Sequence, residues 1–237
     1  MLWRIARVKL LVFIPAYNEE LNIVKTVQNL QKHCPEYDYV VINDGSTDGT
    51  EQVLKENGFN YISLPFNLGL DGVFQTGNLY AYTHGYDLCV PFDGDGQHNA
   101  EYLPLLVKKI EEGYDIAIGS RFLTKKKHRS LRMAGSSLIS FCFRLVTRVR
   151  FTDPTSGMRM VTRKIMKHIA YDQNSGAEPD SWAYFVLNGA KLAEIQVEMN
   201  EREQGTSYFT LPRSIFFMLR MCISILFIQF FRKGGDF

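Results

Sequence analysis

Asp93-Gly94-Asp95-Gly96-Gln97-His98 follows directly on an apolar run, Leu88-Cys89-Val90-Pro91-Phe92. The run reads as a buried strand, so two carboxylates fall where a strand ends. In an open α/β sheet the ligand crevice lies outside the carboxyl ends of the strands. Two carboxylates two residues apart, with a side-chain amide two further on, are hard oxygen donors. Such a set suits a divalent ion that also touches substrate phosphates. Gly94 and Gly96 remove side chains that would keep a diphosphate from the ion. The same six residues also suit an acidic turn that binds nothing, so the rest of the chain has to decide.

On the N-terminal side, residues 8–14 form a short apolar run ended by Pro15, a buried strand by pattern. Asn18-Glu19-Glu20 then opens a helix to about His33, with Asn18 as N-cap and acids in its first turn. Residues 39–42 are a second strand, ended by Asn43-Asp44-Gly45. Ser46 or Thr47 caps the next helix, and Asn57-Gly58 stops it. A third strand spans 61–64, followed by Asn67-Leu68-Gly69 and a helix to about His84. Past the acidic stretch come a helix over 100–112 and a strand over 116–118 that ends in Gly119-Ser120-Arg121. Strands alternating with helices of this length predict an α/β protein with a doubly wound, mainly parallel sheet. Polar and glycine residues gather after every strand, where they would face one crevice. No G-x-G-x-x-G follows the first strand and no G-x-x-x-x-G-K-[ST] occurs, which disfavours dinucleotide redox chemistry and P-loop phosphoryl transfer.

With 237 residues and 46% hydrophobic content, the chain has ample material for one large α/β domain with an appendage. A net charge of +2 conceals an uneven distribution. Residues 116–152 contain no Asp or Glu, yet hold Arg121, Lys125, Lys126, Lys127, Arg129, Arg132, Arg144, Arg148 and Arg150. Such a block points at a phosphate-rich partner, whether nucleic acid, an anionic membrane or a phosphorylated substrate; a solvated basic face is the plainer reading. Cys34, Cys89, Cys142 and Cys222 show no metal-ligand spacing and read as reduced, packed thiols, which fits a cytosolic setting. Met1-Leu2-Trp3-Arg4 lacks a long apolar core and a small-residue cleavage site, so no secretory signal is expected.

Residues 130–150 read as a basic amphipathic helix, either a membrane-surface element or a core helix with a charged outer face. Residues 153–159, Asp-Pro-Thr-Ser-Gly-Met-Arg, form a turn too polar for a core. A helix near 182–188 and a strand near 193–197 follow. Residues 215–231 are apolar except for Arg220, Ser224 and Gln229. Seventeen helical residues would reach ~25 Å, short of a ~30 Å hydrocarbon core. An in-plane or partner-packed helix is therefore expected rather than an independent span. The boundaries are a domain over 1–210 and a membrane-associating tail over 211–237.

Taken together, Phe13-Ile14-Pro15-Ala16-Tyr17-Asn18-Glu19-Glu20, Asn43-Asp44-Gly45-Ser46-Thr47-Asp48-Gly49-Thr50, the Asp93–His98 stretch, Gly119-Ser120-Arg121 and Ser156-Gly157-Met158-Arg159 resemble the family 2 glycosyltransferases. The branch they look most like is the polyprenyl-phosphate sugar synthases of the dolichol-phosphate mannose synthase type, in order and spacing over residues 8–207. The resemblance implies a GT-A fold and inverting transfer from a nucleotide-diphosphate sugar to a polyprenyl phosphate. It implies that Pro15, Tyr17, Glu19 and Asp44 hold the nucleoside, with Asp44 on the base. Asp93 lies near the donor, Asp95 ligates Mg²⁺ or Mn²⁺, and Gln97 completes the metal's shell. Arg121 and Arg202 neutralise phosphate oxygens, which Arg does with a bidentate fork that Lys lacks.

Two features bear on the acceptor, the first of them a departure from the family's pattern. The family's distal motif often carries Lys where this chain has Tyr208, and Glu178-Pro179-Asp180 falls where relatives that glycosylate hydroxyls place a catalytic carboxylate. A phosphate acceptor is already anionic and needs no base, whereas a sugar hydroxyl does. Glu178 is equally a helix N-terminal acid favoured by the macrodipole. The expected setting is the cytoplasmic face of the cell membrane, peripheral or tail-anchored, with a small membrane protein or a second copy covering the tail. Extension of a lipid-linked saccharide on a sugar hydroxyl is the alternative. A non-catalytic nucleotide or nucleic-acid module leaves the shared strand edge unexplained, so no nucleic-acid partner is expected.

Overall fold

The apolar runs become strands of one sheet. The computed structural model describes residues 8–127, 130–172, 175–199 and 211–232. Its first half alternates β1 (Leu10–Ala16), α1 (Ile23–His33), β2 (Asp38–Asn43), α2 (Thr50–Glu56), β3 (Tyr61–Ser63), α3 (Gly69–Thr83), β4 (Leu88–Pro91), α4 (Leu103–Glu111) and β5 (Ile116–Ser120). The second half holds α5 (Leu131–Thr147), β6 (Arg159–Thr162), α6 (Arg163–Tyr171), α7 (Pro179–Leu187), β7 (Leu192–Gln196) and α8 (Leu211–Leu226). Among the described residues the sheet has seven strands in the order β3-β2-β1-β4-β6-β5-β7. All are parallel except β6, which runs antiparallel to both β4 and β5. The sheet is therefore mixed and mostly parallel.

Both faces are covered, as a parallel sheet requires. Alternate residues of β1 divide between two cores: Leu11 and Phe13 join the side of α3, α5, α6 and α7, while Leu10, Val12 and Ile14 join that of α1 and α4. Pro15 does not end β1 but lies within it, in register with Ile42. The tolerance has a simple cause. Pairing between β1 and β4 stops at Phe13 and Pro91, so the N–H that Pro15 lacks falls where β4 has already turned away.

Three local readings change. Helix α1 begins at Ile23, not at Asn18. Asn18 instead takes a left-handed φ of 56°, donates its N–H to Ser46 Oγ at 3.0 Å and accepts from Thr47 N–H at 2.9 Å. Its amide serves the neighbouring loop. Neither Ser46 nor Thr47 caps α2; Asp48 Oδ1 accepts from Thr50 N–H at 3.0 Å. Residues 153–159 are not a surface turn, since Asp153, Ser156, Met158 and Arg159 are all buried. Their polar groups are satisfied internally: Ser156 Oγ donates to the Gly119 carbonyl, and Arg159 to the carbonyls of Ser156, Ala177 and Pro154.

The C-terminal helix packs on α5 and α7. Met221, Cys222 and Ile225 enter the same core as the sheet, and at Gly135 of α5 a Cβ would collide with Met218. No helix among the described residues is long and apolar enough to cross a membrane. All four cysteines are free and buried.

Candidate functional site

Strand order reverses between β1 and β4, and at such a switch point the loops leave to opposite sides and open a crevice. The Asp93–Gln97 loop leaves β4 there. Gly94 presses against the end of β1: a Cβ on it would sit 2.6 Å from the Pro15 carbonyl oxygen. Its lack of a side chain thus answers a neighbouring strand. Gly96 has a φ of +79°, which glycine accommodates freely. Thr26 of α1 donates its hydroxyl to the Gly94 carbonyl at 2.9 Å, closing the loop from the other side.

The β1 and β2 loops are joined along the same edge. Besides the Asn18 bonds, Glu19 N–H donates to Thr50 Oγ1 at 2.9 Å and Gly49 N–H to Glu20 Oε2 at 2.8 Å. Glu19 Oε2 accepts from Asn22 Nδ2 at 2.7 Å, while Tyr17 stands exposed at the rim. Asp44 is buried and caps α3, accepting from Leu68 N–H at 2.7 Å and Gly69 N–H at 3.0 Å. Contact with a base would have to share those oxygens.

Asp93 sits between His98 of its own stretch and Gly157, which the sequence did not link to it. His98 lies buried beside it, and a Cβ on Gly157 would fall 2.9 Å from Asp93 Oδ2. Arg121 is gripped by Asp153, which accepts from Nε at 2.7 Å, Nη2 at 2.8 Å and the backbone N–H at 3.1 Å. Burial opposes both charges. The pair and its hydrogen bonds outweigh it, holding the Asp153 carboxyl below its ordinary range and the Arg121 guanidinium above. Asp93 adds to the field on Arg121. Burial pushes Arg159 down to about 10, against the carboxylates of Asp153, Asp93 and Asp71.

Asp95 lines a cavity of about 110 Å³ with Asn22, Lys25, Thr26, Asn29 and His98, and its Oδ1 accepts from Gln97 N–H at 3.1 Å. Among the described residues no three His, Cys, Asp or Glu side chains form a closed metal cage. Two carboxylates and an amide on one loop leave coordination positions for substrate oxygens. That donor set fits a hard divalent cation bound together with a diphosphate.

Glu178 and Asp180, at the start of α7, face the C-terminal helix. Glu178 pairs with Arg220. Asp180 Oδ2 accepts from Ser224 Oγ at 2.7 Å and Gln229 Nε2 at 3.5 Å. Asp71 of α3 accepts from Ala177 N–H at 2.9 Å and crowds Glu178 electrostatically. Arg202 and Tyr208 lie outside the described residues. Asp153 was visible in the sequence only as a member of a polar turn, and Gly157 and Arg159 as members of that turn and of a family motif, with no role assigned to them.

Three comparisons bear on the chain. A family described as glycosyl transferase family 2 matches residues 11–170. The polyprenol monophosphomannose synthase of Mycolicibacterium smegmatis is 29% identical over 83% of this chain and 79% of its own. The UDP-N-acetylglucosamine–dolichyl-phosphate N-acetylglucosaminyltransferase of Methanococcus voltae is 31% identical over 66% of this chain and 70% of its own. Among solved structures, the glucosyl-3-phosphoglycerate synthase of Mycobacterium tuberculosis in complex with Mn²⁺, UDP-glucose and phosphoglyceric acid has a TM-score of 0.66. It is 17% identical, over 97% of this chain and 83% of that one, a likeness of fold.

Burial, then repulsion from Asp71, pushes the Glu178 carboxyl from 4.5 to about 7, against the pull of Arg220. A raised carboxyl pKa means the folded state keeps a proton that the unfolded state has lost. Stability therefore falls as pH rises from 4.5 to about 7 and levels off above. In a melting-temperature series the wild type should decline across that window, and Glu178→Gln should flatten the decline.

Proposed function

We infer the reaction from two premises: the chain belongs to glycosyl transferase family 2, and its acidic loop meets the end of β1 at the switch point of the sheet. The reaction is transfer of a sugar, with inversion, from a nucleotide-diphosphate sugar to a polyprenyl phosphate. The juxtaposition of Asp93-Gly94-Asp95 with Pro15 carries the reading, because it supports a diphosphate site beside the joined β1 and β2 loops. Two relatives named for polyprenyl-phosphate acceptors support the choice of acceptor.

The nucleoside lies over Pro15, Tyr17 and Glu19, with Asp44 holding the N-terminus of α3 against the pocket. Asp93, Asp95 and Gln97 face the diphosphate; Asp95 and Gln97 hold Mg²⁺ or Mn²⁺. The ion's contribution is to neutralise charge on the departing diphosphate. Arg121, kept charged and oriented by Asp153, and Arg202 neutralise phosphate oxygens. An acceptor phosphate oxygen attacks the anomeric carbon opposite the leaving group; a C–O bond forms as the bond to the diphosphate breaks, and the electron pair leaves with the diphosphate. No proton needs to be removed, which agrees with Glu178 and Asp180 being turned to the C-terminal helix.

The setting is a membrane surface. Helix α5 exposes Leu131, Leu138, Phe141 and Leu145, the helix packed on it exposes Phe216, Leu219 and Ile223, and Phe227 and Phe230 stand exposed just past its end. Arg132, Arg144, Arg148 and Arg150 stand exposed beside the first row. Apolar side chains enter the headgroup boundary, and each basic residue near an anionic leaflet contributes roughly 1 kcal/mol. This is the apolar tail of the sequence reading, docked on its domain with an outer face for the cytoplasmic leaflet.

Screening nucleotide sugars against a short-chain polyprenyl phosphate tests the reaction. Asp95→Ala should abolish transfer and metal-dependent nucleotide binding while circular dichroism stays native; wild-type turnover in that variant would remove the metal assignment. In the same assay Glu178→Gln and Asp180→Asn should keep most of their turnover. Loss of the roughly 10²–10⁴-fold that a general base contributes would mean a hydroxyl acceptor. A variant combining Phe141→Ser, Phe216→Ser and Phe227→Ser should bind anionic vesicles at least about tenfold more weakly, equivalent to ~1.4 kcal/mol. It should still turn over a water-soluble acceptor; unchanged sedimentation with vesicles would remove the membrane face.

A further inference from the structure

His98 ends the acidic stretch and has no part in the reaction described above. Its ring is 2% exposed and lies edge-on to Phe92, with centroids 5.5 Å apart. Nδ1 accepts the backbone N–H of Asp93 at 3.0 Å. An accepting Nδ1 places the hydrogen of a neutral imidazole on Nε2. Nε2 lies 3.2 Å from Asp93 Oδ2, yet its hydrogen is not aligned on that oxygen, and the atom is left buried without a hydrogen bond. A buried donor left without a partner is unfavourable. A carboxylate's terminal torsion is soft enough to remove the misalignment.

Gly157 closes the third side. A Cβ there would fall 2.9 Å from Asp93 Oδ2 and 3.1 Å from His98 Cε1. One carboxylate, one ring and one missing side chain therefore occupy a single contact. The glycine leaves Asp93 the room to turn.

We propose that His98 is a positioning residue for sugar transfer: its Nε2–H is the donor that fixes the Asp93 carboxylate when the nucleotide sugar and its divalent ion bind, with Gly157 providing the clearance. The assignment rests on the sugar-transfer reading. It differs from a packing role in one respect, because packing needs a ring-sized group whereas positioning needs a donor at the Nε2 locus. Groups that orient the residues of a metal site typically change metal affinity or activity by about 10–100-fold when removed.

The experiment measures Mn²⁺ affinity by electron paramagnetic resonance on full-length protein, without turnover, alongside melting temperature and the kcat and KM of transfer. His98→Gln carries an amide to the Nε2 locus; His98→Leu carries none. Expected is a fall of about tenfold or more in Mn²⁺ affinity and kcat for His98→Leu, with acceptor KM unchanged, and recovery to within about threefold in His98→Gln. Gly157→Ala, which crowds the carboxylate with the histidine intact, should reproduce the His98→Leu defect and keeps the test open if His98→Leu does not fold. Folded His98→Leu with wild-type Mn²⁺ affinity and kcat overturns the proposal. So does a loss shared equally by His98→Gln. A wild type that binds Mn²⁺ but transfers no sugar would instead overturn the reaction, leaving the affinity ranking to judge His98; a wild type that binds no Mn²⁺ overturns both.

Discussion

The contact between Gly94 and the Pro15 carbonyl is the constraint on which the crevice depends. Two strand ends meet there with no space for a Cβ, at the place where strand order reverses. The proline leaves the β4 side of β1 without an N–H, and the glycine lets the next loop cross that gap. Asp93 is thereby set against Gly157 and His98, and Asp95 against α1. Neighbouring loops are then fastened by side chains: Asp44 onto α3, Asn18 onto the β2 loop, Thr26 onto Gly94. A site held by strand ends and buried caps is preorganised, and preorganisation is what a reaction dominated by charge placement requires.

What was legible in the sequence was whatever is local. Parallel strands buried on both faces read as continuous apolar runs, so β1 to β5 and the helices between them could be placed within a few residues. Strand β6 could not. It is four residues long, runs antiparallel and opens with Arg159, a residue expected in water. The arginine is buried because three carbonyls and the Trp182 ring replace its hydration, and the Ala177 carbonyl and the Trp182 ring belong to a later segment that only the fold brings back. The glycines of the acidic loop were legible as places where a Cβ is unwelcome. Their neighbour was not, so clearance for a ligand was inferred at Gly94 where a strand carbonyl is the cause. Asn18 looked like a cap because it precedes a helix pattern, but its amide satisfies another loop.

The pairing of Arg121 with Asp153 illustrates the same limit in the site's electrostatics. Both residues were in view, but 32 positions separate them and only the fold closes the distance. Its consequence is chemical. A lone buried guanidinium would be costly, whereas one held by a bidentate carboxylate keeps its charge and its orientation. Arg159, lowered by burial, and Arg121, raised by its partner, both feel Asp93. Positive charge is thus fixed next to the acidic loop by the protein itself. Phosphate groups meeting there would encounter a field already in place.

The two carboxylates at α7 carry the argument furthest from the sequence. The family resemblance aligns them with a catalytic base, yet their partners are Arg220, Ser224 and Gln229 in the C-terminal segment. From α7 the contacts continue through the Ala177 N–H to Asp71 on α3, the helix whose N-terminus Asp44 holds. The helix that carries the proposed membrane face and the loop on the nucleotide side are thus joined by hydrogen bonds at each step. A polyprenyl phosphate keeps its chain in the bilayer and presents only its head, so the distance from lipid surface to donor pocket must be set by the protein. On the proposed reading, packing the C-terminal helix on α5 and tying it to α7 would set that distance through the core. On that same reading, the carboxylates that a hydroxyl acceptor would require as base would instead hold the face from which a phosphate acceptor arrives, through Arg220, Ser224 and Gln229.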